Sequence, residues 1–229
     1  MNSKKIIEDC GAILDAKKTG EHYKYASGKH GEIYIEKRQL LKSPIIASQL
    51  ANEITRKLWE YAPSETTEIT HTFAGFFKSN ITVFLGAVVS GAKFANYVAL
   101  SYIDILVSLE LINLHLINKQ ILCIEAEMDT LRYKTLVLKR NYNKDVKGKK
   151  IFIVEDVINS GATIMRLIEL VVASGGEVVG IGCIWNRGDF NLKDIPLISL
   201  VNEKLESWDE NDCPFCQKGI PLSKTYGHG

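Results

Sequence analysis

"KIFIVEDVINSGATIMRLIELVVASGGEVVGIGCIWN", residues 150–186, decides the fold. It opens on a continuous apolar strand, Ile151 to Val154, of the kind buried inside parallel sheets. Two adjacent carboxylates follow, Glu155 and Asp156, and then a loop of small and hydroxyl residues, Asn159 to Thr163. "TIMRLIELVVA" places apolar residues at helical spacing and is stopped by Gly175 and Gly176, after which "EVVGIGCIWN" supplies a second strand. Strand, loop, helix and strand make a parallel crossover unit. The expected class is therefore α/β, an open and mostly parallel sheet flanked by helices.

In such a sheet ligands collect at the carboxyl ends of the strands, where Glu155 and Asp156 fall. The loop after them enters a helix and can aim free amides and hydroxyls at a phosphate, aided by the helix dipole. Carboxylates beside a phosphate cradle suit a sugar phosphate, since they accept hydrogen bonds from ribose hydroxyls or orient hydrated magnesium. The bland alternative is a solvated strand end with Asp156 capping the turn. The chain contains no Walker-type phosphate loop and no GxGxxG after a strand.

Working outward, residues 3–16 read as one amphipathic helix carrying Ile6, Ile7, Ile13 and Leu14, and "HYKYASGKHGEIYIEKR" as two short strands about Ser27 and Gly28. Ser43 and Pro44 start a helix that ends near Tyr61. The apolar run from Ile81 ends in "SGAK", and a helix restarts at Phe94. Residues 99–122 suggest one or two buried helices leading into the strand "QILCIEAE". "KTLVLKRNY" reads as a strand, "NKDVKGKK" as a polar turn and "CQKGIPLSKTYGHG" as a loose tail. The expected division is an N-terminal helix and hood over residues 1–42, a core over 43–205 and a tail over 206–229.

Twenty-eight basic and 27 acidic residues leave a net charge of +1, so no bulk field favours nucleic acid or an anionic membrane. The longest uncharged run, Ser79 to Ala92, is shorter than the roughly 20 residues needed to span a bilayer, and "MNSKKIIEDC" lacks the apolar core of a signal peptide. Five cysteines, an odd number, fit a reducing compartment, and the expected location is the cytoplasm. Cys213 and Cys216 have metal-ligand spacing, but a second pair is missing from the sequence and His228 lies in the tail, so no protein metal site is expected. His22, His30, His71 and His115 are scattered and read as surface or core histidines.

"IFIVEDVINSGAT" resembles the phosphoribosyl diphosphate (PRPP) signature of type I phosphoribosyltransferases, with Asn159 where threonine is frequent. "HYKYASGKHGEIYIEKRQLL" is similar to the N-terminal hood of the orotate branch, "AEMDTLRYKTLVLKR" to its mobile catalytic loop, "WNRG" to its base-recognition turn and "CPFCQKGIPL" to the tail of one subgroup. Residues 99–118 look like an insertion relative to it. The resemblance implies a parallel sheet with a hood, a homodimer, and a magnesium-dependent reaction of PRPP with orotate to give orotidine 5'-phosphate and diphosphate. It implies that Glu155 and Asp156 hold the ribose hydroxyls, that Asn159, Ser160, Gly161, Ala162 and Thr163 hold the 5'-phosphate with Val157 and Ile158 also in the PRPP site, and that Ser90, Gly91, Ala92 and Lys93 hold the diphosphate. Lys29 would reach the leaving group, and Arg187, Asn159 and Tyr34 would meet the base. Relatives often read Ala-Glu-Lys where this chain has Ala126, Glu127 and Met128, so Arg132 and Lys134 become the candidate loop cations. The other reading keeps the fold as a PRPP or nucleotide sensor that binds without turnover.

Overall fold

The computed structural model describes residues 2–60, 81–87, 90–108, 121–129 and 135–227. The first 42 residues form α1 (Ser3–Asp9), β1 (Ile13–Asp15), α2 (Ala16–Thr19), β2 (Tyr23–Lys24), β3 (His30–Gly31), β4 (Ile33–Ile35) and α3 (Lys37–Lys42). Then come α4 (Pro44–Glu60), β5 (Ile81–Ala87), α5 (Ser90–Ser108), β6 (Leu122–Met128), β7 (Leu136–Val137) and α6 (Tyr142–Val146). The opening stretch gives β8 (Lys150–Ile158), α7 (Ala162–Ala173) and β9 (Glu177–Asn186), followed by β10 (Leu197–Asn202), a 3-10 turn over Glu210–Asp212 and α8 (Pro214–Gln217).

The central sheet has the order β10-β9-β8-β5-β6-β7. Its first five strands run parallel, and β7 pairs antiparallel with β6 at the edge. The α/β expectation holds. From β5 the chain crosses to β6 on one side and returns through β8, β9 and β10 on the other. The connections diverge at the β5–β8 pair, the place in an open α/β sheet where ligands are expected outside the strands' carboxyl ends.

Side chains of β8 alternate with the period of two that a pleated strand imposes. Ile151 and Ile153 join Ile164, Leu167 and Val171 of α7, while Phe152 and Val154 join Leu50 and Ile54 of α4 and Phe94 and Val98 of α5. Phe152 packs edge-on against Phe84 at 5.9 Å between ring centroids. Glycines on β9 make room for it: a Cβ at Gly182 would stand 2.8 Å from Phe152 Cε1 and 3.1 Å from Ile54 Cγ2. Gly182→Ala is accordingly expected to cost about 1–3 kcal/mol of stability by overpacking. Urea titration should show a lower midpoint at unchanged slope; an unshifted midpoint would contradict this packing.

Several expectations change. The helix expected over 3–16 ends at Asp9, because Gly11 takes φ 72° and Ile13 to Asp15 pair with β4 instead. The hairpin about Ser27 and Gly28 forms, with Gly28 at φ 85°. The expected helix from Pro44 forms and is described to Glu60. Helix α5 runs on to Ser108, so 99–108 continue it, while residues 109–120 lie outside the described segments. The strand expected at "KTLVLKRNY" is reduced to Leu136–Val137, and the polar turn at "NKDVKGKK" overlaps α6, which is anchored by fully buried Val146. The tail is not loose: Ser223 N donates to His22 O at 2.8 Å, His22 N donates to Pro221 O at 2.9 Å, and Cys213 is fully buried. Among the described residues no helix is long and apolar enough to cross a membrane.

Candidate active site

The alternation that seats Phe152 and Ile153 also separates the two carboxylates. Glu155 follows Ile151 and Ile153 and lines a cleft of 580 Å³ with the loop entering α7, whereas Asp156 follows Phe152 and Val154 and meets Lys37 of α3. Both are buried, so they do not form the solvated strand end of the bland reading. Glu155 Oε1 accepts from Asp156 N at 3.1 Å, and Asp156 Oδ1 accepts from Val157 N at 2.6 Å and from Lys37 Nζ at 3.3 Å. Asp156 Oδ2 is buried with no donor among the described residues. Burial, then the charge of Asp156, pushes the Glu155 carboxyl well above the usual carboxylate range. Burial alone would lower the Lys37 ammonium, but Asp156 and Glu155 outweigh it and hold it above its usual value.

A raised Glu155 has a testable cost. Below the carboxyl's unfolded value, folded and unfolded chains both keep the proton and no penalty arises. As pH rises through that value the unfolded state ionises first, and the folded state loses stability until Glu155 ionises too. Glu155→Gln is therefore expected to raise the thermal midpoint of the ligand-free protein by a few degrees at pH 8, with the gain vanishing in acid. A midpoint lower than wild type at pH 8 would contradict a Glu155 carboxyl raised by burial.

The loop beyond is shaped for an anion. Gly161, the N-cap of α7, sits at φ 76° and offers no side-chain acceptor, so the first-turn amides of the helix stay free. A Cβ on Gly161 would lie 1.9 Å from the Phe190 ring, and one on Gly188 would lie 2.2 Å from Asn159 O, so both glycines let the loop fold down on its neighbours. Asn159 and Ser160 are exposed in the same cleft, beside Val157, Ile158, Ala162 and Thr163.

Arg187 closes the other side. Its amide donates to Ile158 O at 2.9 Å, fixing the turn after β9 beside the 159–163 loop. The residue is 8% exposed, and its guanidinium carbon lies 3.9 Å from the Tyr25 ring centroid. None of the ion pairs found among the described residues involves Arg187. Tyr25 donates its hydroxyl to Ile33 O at 2.6 Å, and burial pushes its pKa up against the opposing pull of Arg187. Lys29 lines the same cleft, with Nζ 3.4 Å from Asp209 Oδ2.

The structure thus gathers Lys29, Glu155, the 157–163 segment and Arg187 around one space, while Asp156 turns to the other face of β8, where it meets Lys37. Gly91 joins them, since a Cβ there would lie 3.0 Å from Glu155 Oε1; the Ser90 side chain is outside the described set. Lys93 is not brought in: it is exposed and, with Ala92, borders a separate hollow next to Cys123 and Glu125. Tyr34 is not brought in either, because pairing with Leu14 sets its ring between Tyr23 and Tyr226, at 5.6 and 6.4 Å. Arg132 and Lys134 lie outside the described residues. Met128 ends β6 at 40% exposure, and Lys139 pairs with Glu127 at 2.6 Å. Sequence reading missed Tyr25 and Lys37, although Tyr25 stands just before the Ser27–Gly28 turn and Lys37 just after "IYIE".

Residues 66–212 match the model of the phosphoribosyl transferase domain. The chain belongs to that family. It is a type I phosphoribosyltransferase and, by reaction class, a pentosyltransferase. The orotate phosphoribosyltransferase of Campylobacter jejuni (strain 81-176) is 27% identical over 100% of both chains. That of Caldanaerobacter subterraneus is 27% identical over 89% of this chain and 87% of its own. Among solved structures, the orotate phosphoribosyltransferase of Aeropyrum pernix superposes with a TM-score of 0.54 at 17% identity, covering 88% of this phosphoribosyltransferase and 94% of that chain. The Mycobacterium tuberculosis enzyme reaches 0.55 at 13% identity, covering 88% and 97%, so the likeness in these two is one of fold.

Proposed function

We propose that this phosphoribosyltransferase acts on orotate, joining it to PRPP to give orotidine 5'-phosphate and diphosphate in pyrimidine biosynthesis. The observation that carries the base assignment is Arg187: a buried guanidinium in the cleft with no carboxylate partner among the described residues. A buried cation is costly without a counter-charge, and the carboxylate of orotate supplies one in a geometry suited to two parallel hydrogen bonds. The names of the relatives point the same way.

In this reading the 5'-phosphate rests on the free amides of the Asn159–Thr163 loop, and the ribose hydroxyls reach Glu155 and, once Lys37 gives way, Asp156. Displacement at the anomeric carbon builds positive charge on the ribose and negative charge on diphosphate. Buried carboxylates under the sugar and Lys29 toward the leaving group stabilise that separation in place. The orphaned Asp156 Oδ2 fits a hydrated magnesium ion or a ribose hydroxyl, and Glu155 and Asp156 are the residues that would orient the ion. Magnesium, when bound there, would supply positive charge against the departing diphosphate. Arg132 and Lys134 remain the loop cations of the proposal. The family resemblance adds a homodimer, and the odd cysteine count a cytoplasmic setting.

Orotidine 5'-phosphate and uridine 5'-phosphate differ only in the carboxylate. Calorimetric titration is expected to show the former binding at least about tenfold more tightly, the worth of one charge-assisted hydrogen bond in a dry site. Equal affinities would remove Arg187 as the base-carboxylate partner. Met128, in place of a frequent lysine, favours a second reading in which the same site binds PRPP without turnover.

A further inference from the structure

Outside the cleft, the two cysteines of "CPFC" acquire the second ligand pair that the sequence does not place beside them. His22, His30, Cys213 and Cys216 each turn one ligand atom inward, and the four atoms all lie within 4.8 Å of one another. His22 Nε2 is 3.3 Å from His30 Nδ1 and 3.3 Å from Cys216 Sγ, and His30 Nδ1 is 3.2 Å from Cys216 Sγ. A zinc ion with bonds of about 2.05 Å to nitrogen and 2.3 Å to sulfur sets tetrahedral edges of about 3.4 Å between nitrogens and about 3.6 Å from nitrogen to sulfur. The observed spacings are already near those edges.

Backbone pairing fixes the histidines from outside the cluster. His22 N donates to Pro221 O, His30 N donates to Trp208 O at 2.8 Å, and Trp208 N returns the bond to His30 O at 2.9 Å. His22 Nδ1 lies 3.1 Å from Pro221 O. A carbonyl only accepts, so Nδ1 carries the ring proton and the lone pair of Nε2 points into the cluster, as in histidine ligands held by an outer acceptor. Both histidines are 1% exposed, and Phe215 stacks on the His22 ring at 5.7 Å. His30 Nε2 is buried without a partner among the described residues.

The geometry points to a structural zinc site at His22, His30, Cys213 and Cys216, with the C-terminal segment clamped onto the N-terminal hairpin. Two thiolates cancel the charge of the ion, four protein ligands leave no open position, and binding releases the two thiol protons. The clamp also reaches the cleft. His22 and His30 bracket the turn that carries Tyr25 and Lys29, so the metal sets where those two side chains stand. The inference does not depend on which base the enzyme uses.

Full-length protein purified under reducing conditions without chelator is expected to hold about one zinc per chain by plasma mass spectrometry. X-ray absorption should give a first shell of two sulfurs and two nitrogens. Replacement by cobalt should produce the intense visible bands of a tetrahedral thiolate site, and Cys213→Ser with Cys216→Ser should abolish them. Should that double variant fail to fold, the wild-type metal content and shell still decide. Protein that is metal-free as isolated and takes up neither equimolar zinc nor cobalt, or a shell of oxygens alone, would overturn the site. So would a Cys213–Cys216 disulfide that persists in reductant.

Discussion

Replacing Arg187 with methionine is expected to lower kcat/KM for orotate by roughly two to three orders of magnitude while PRPP still binds. Removing one partner of a buried, hydrogen-bonded charge pair costs about 2–5 kcal/mol, and in the proposed complex the surviving partner is the orotate carboxylate, left in the cleft beside Tyr25. Methionine refills much of the volume under the ring. Since none of the ion pairs found among the described residues involves Arg187, the ligand-free variant should match or exceed wild-type stability. Steady-state kinetics with denaturant unfolding checks both halves. Unchanged kcat/KM for orotate would remove the arginine from base recognition; a large loss of stability would show that it serves the fold instead.

Asp156→Asn should be nearly as damaging, but at the other substrate. Asp156 is fully buried, with Oδ1 taken by Val157 N and Lys37 Nζ and Oδ2 unpaired. An amide keeps the shape and the bond from Val157 yet loses the charge. Two charge-assisted hydrogen bonds to ribose at about 1.5–3 kcal/mol each correspond to a fall of roughly two to four orders of magnitude in kcat/KM for PRPP. The rise in thermal midpoint that PRPP and magnesium give the wild type should disappear. If PRPP stabilises both proteins equally, the ribose does not reach Asp156.

The crossover unit was readable because its signals are local: a continuous apolar strand, a helical period ended by Gly175 and Gly176, and a second strand that the structure bounds at Glu177 and Asn186. The small-residue loop that enters α7 was readable for the same reason. What could not be read depends on pairing at a distance. Ile13 and Leu14 fit a helix until β4 offers them partners. Likewise, Tyr34 and Tyr25 are equally aromatic on paper, and only the hairpin's fold sends one to Tyr226 and the other to Arg187. Glu155 and Asp156 were read as a pair although strand parity sends them to opposite faces, and Lys37, more than a hundred residues earlier, shows its role only once α3 comes down on the strand end. The tail was misread as loose because its anchors, His22 and His30, lie almost the whole chain away.

The central claim, that this cleft transfers a phosphoribosyl group to orotate, is tested most directly by incubating the protein with PRPP, magnesium and, separately, orotate, uracil and the purine bases, and separating the nucleotides by chromatography. The account predicts orotidine 5'-phosphate and diphosphate in equal amounts from orotate alone. A nucleotide formed from another base, or none from any, would contradict it.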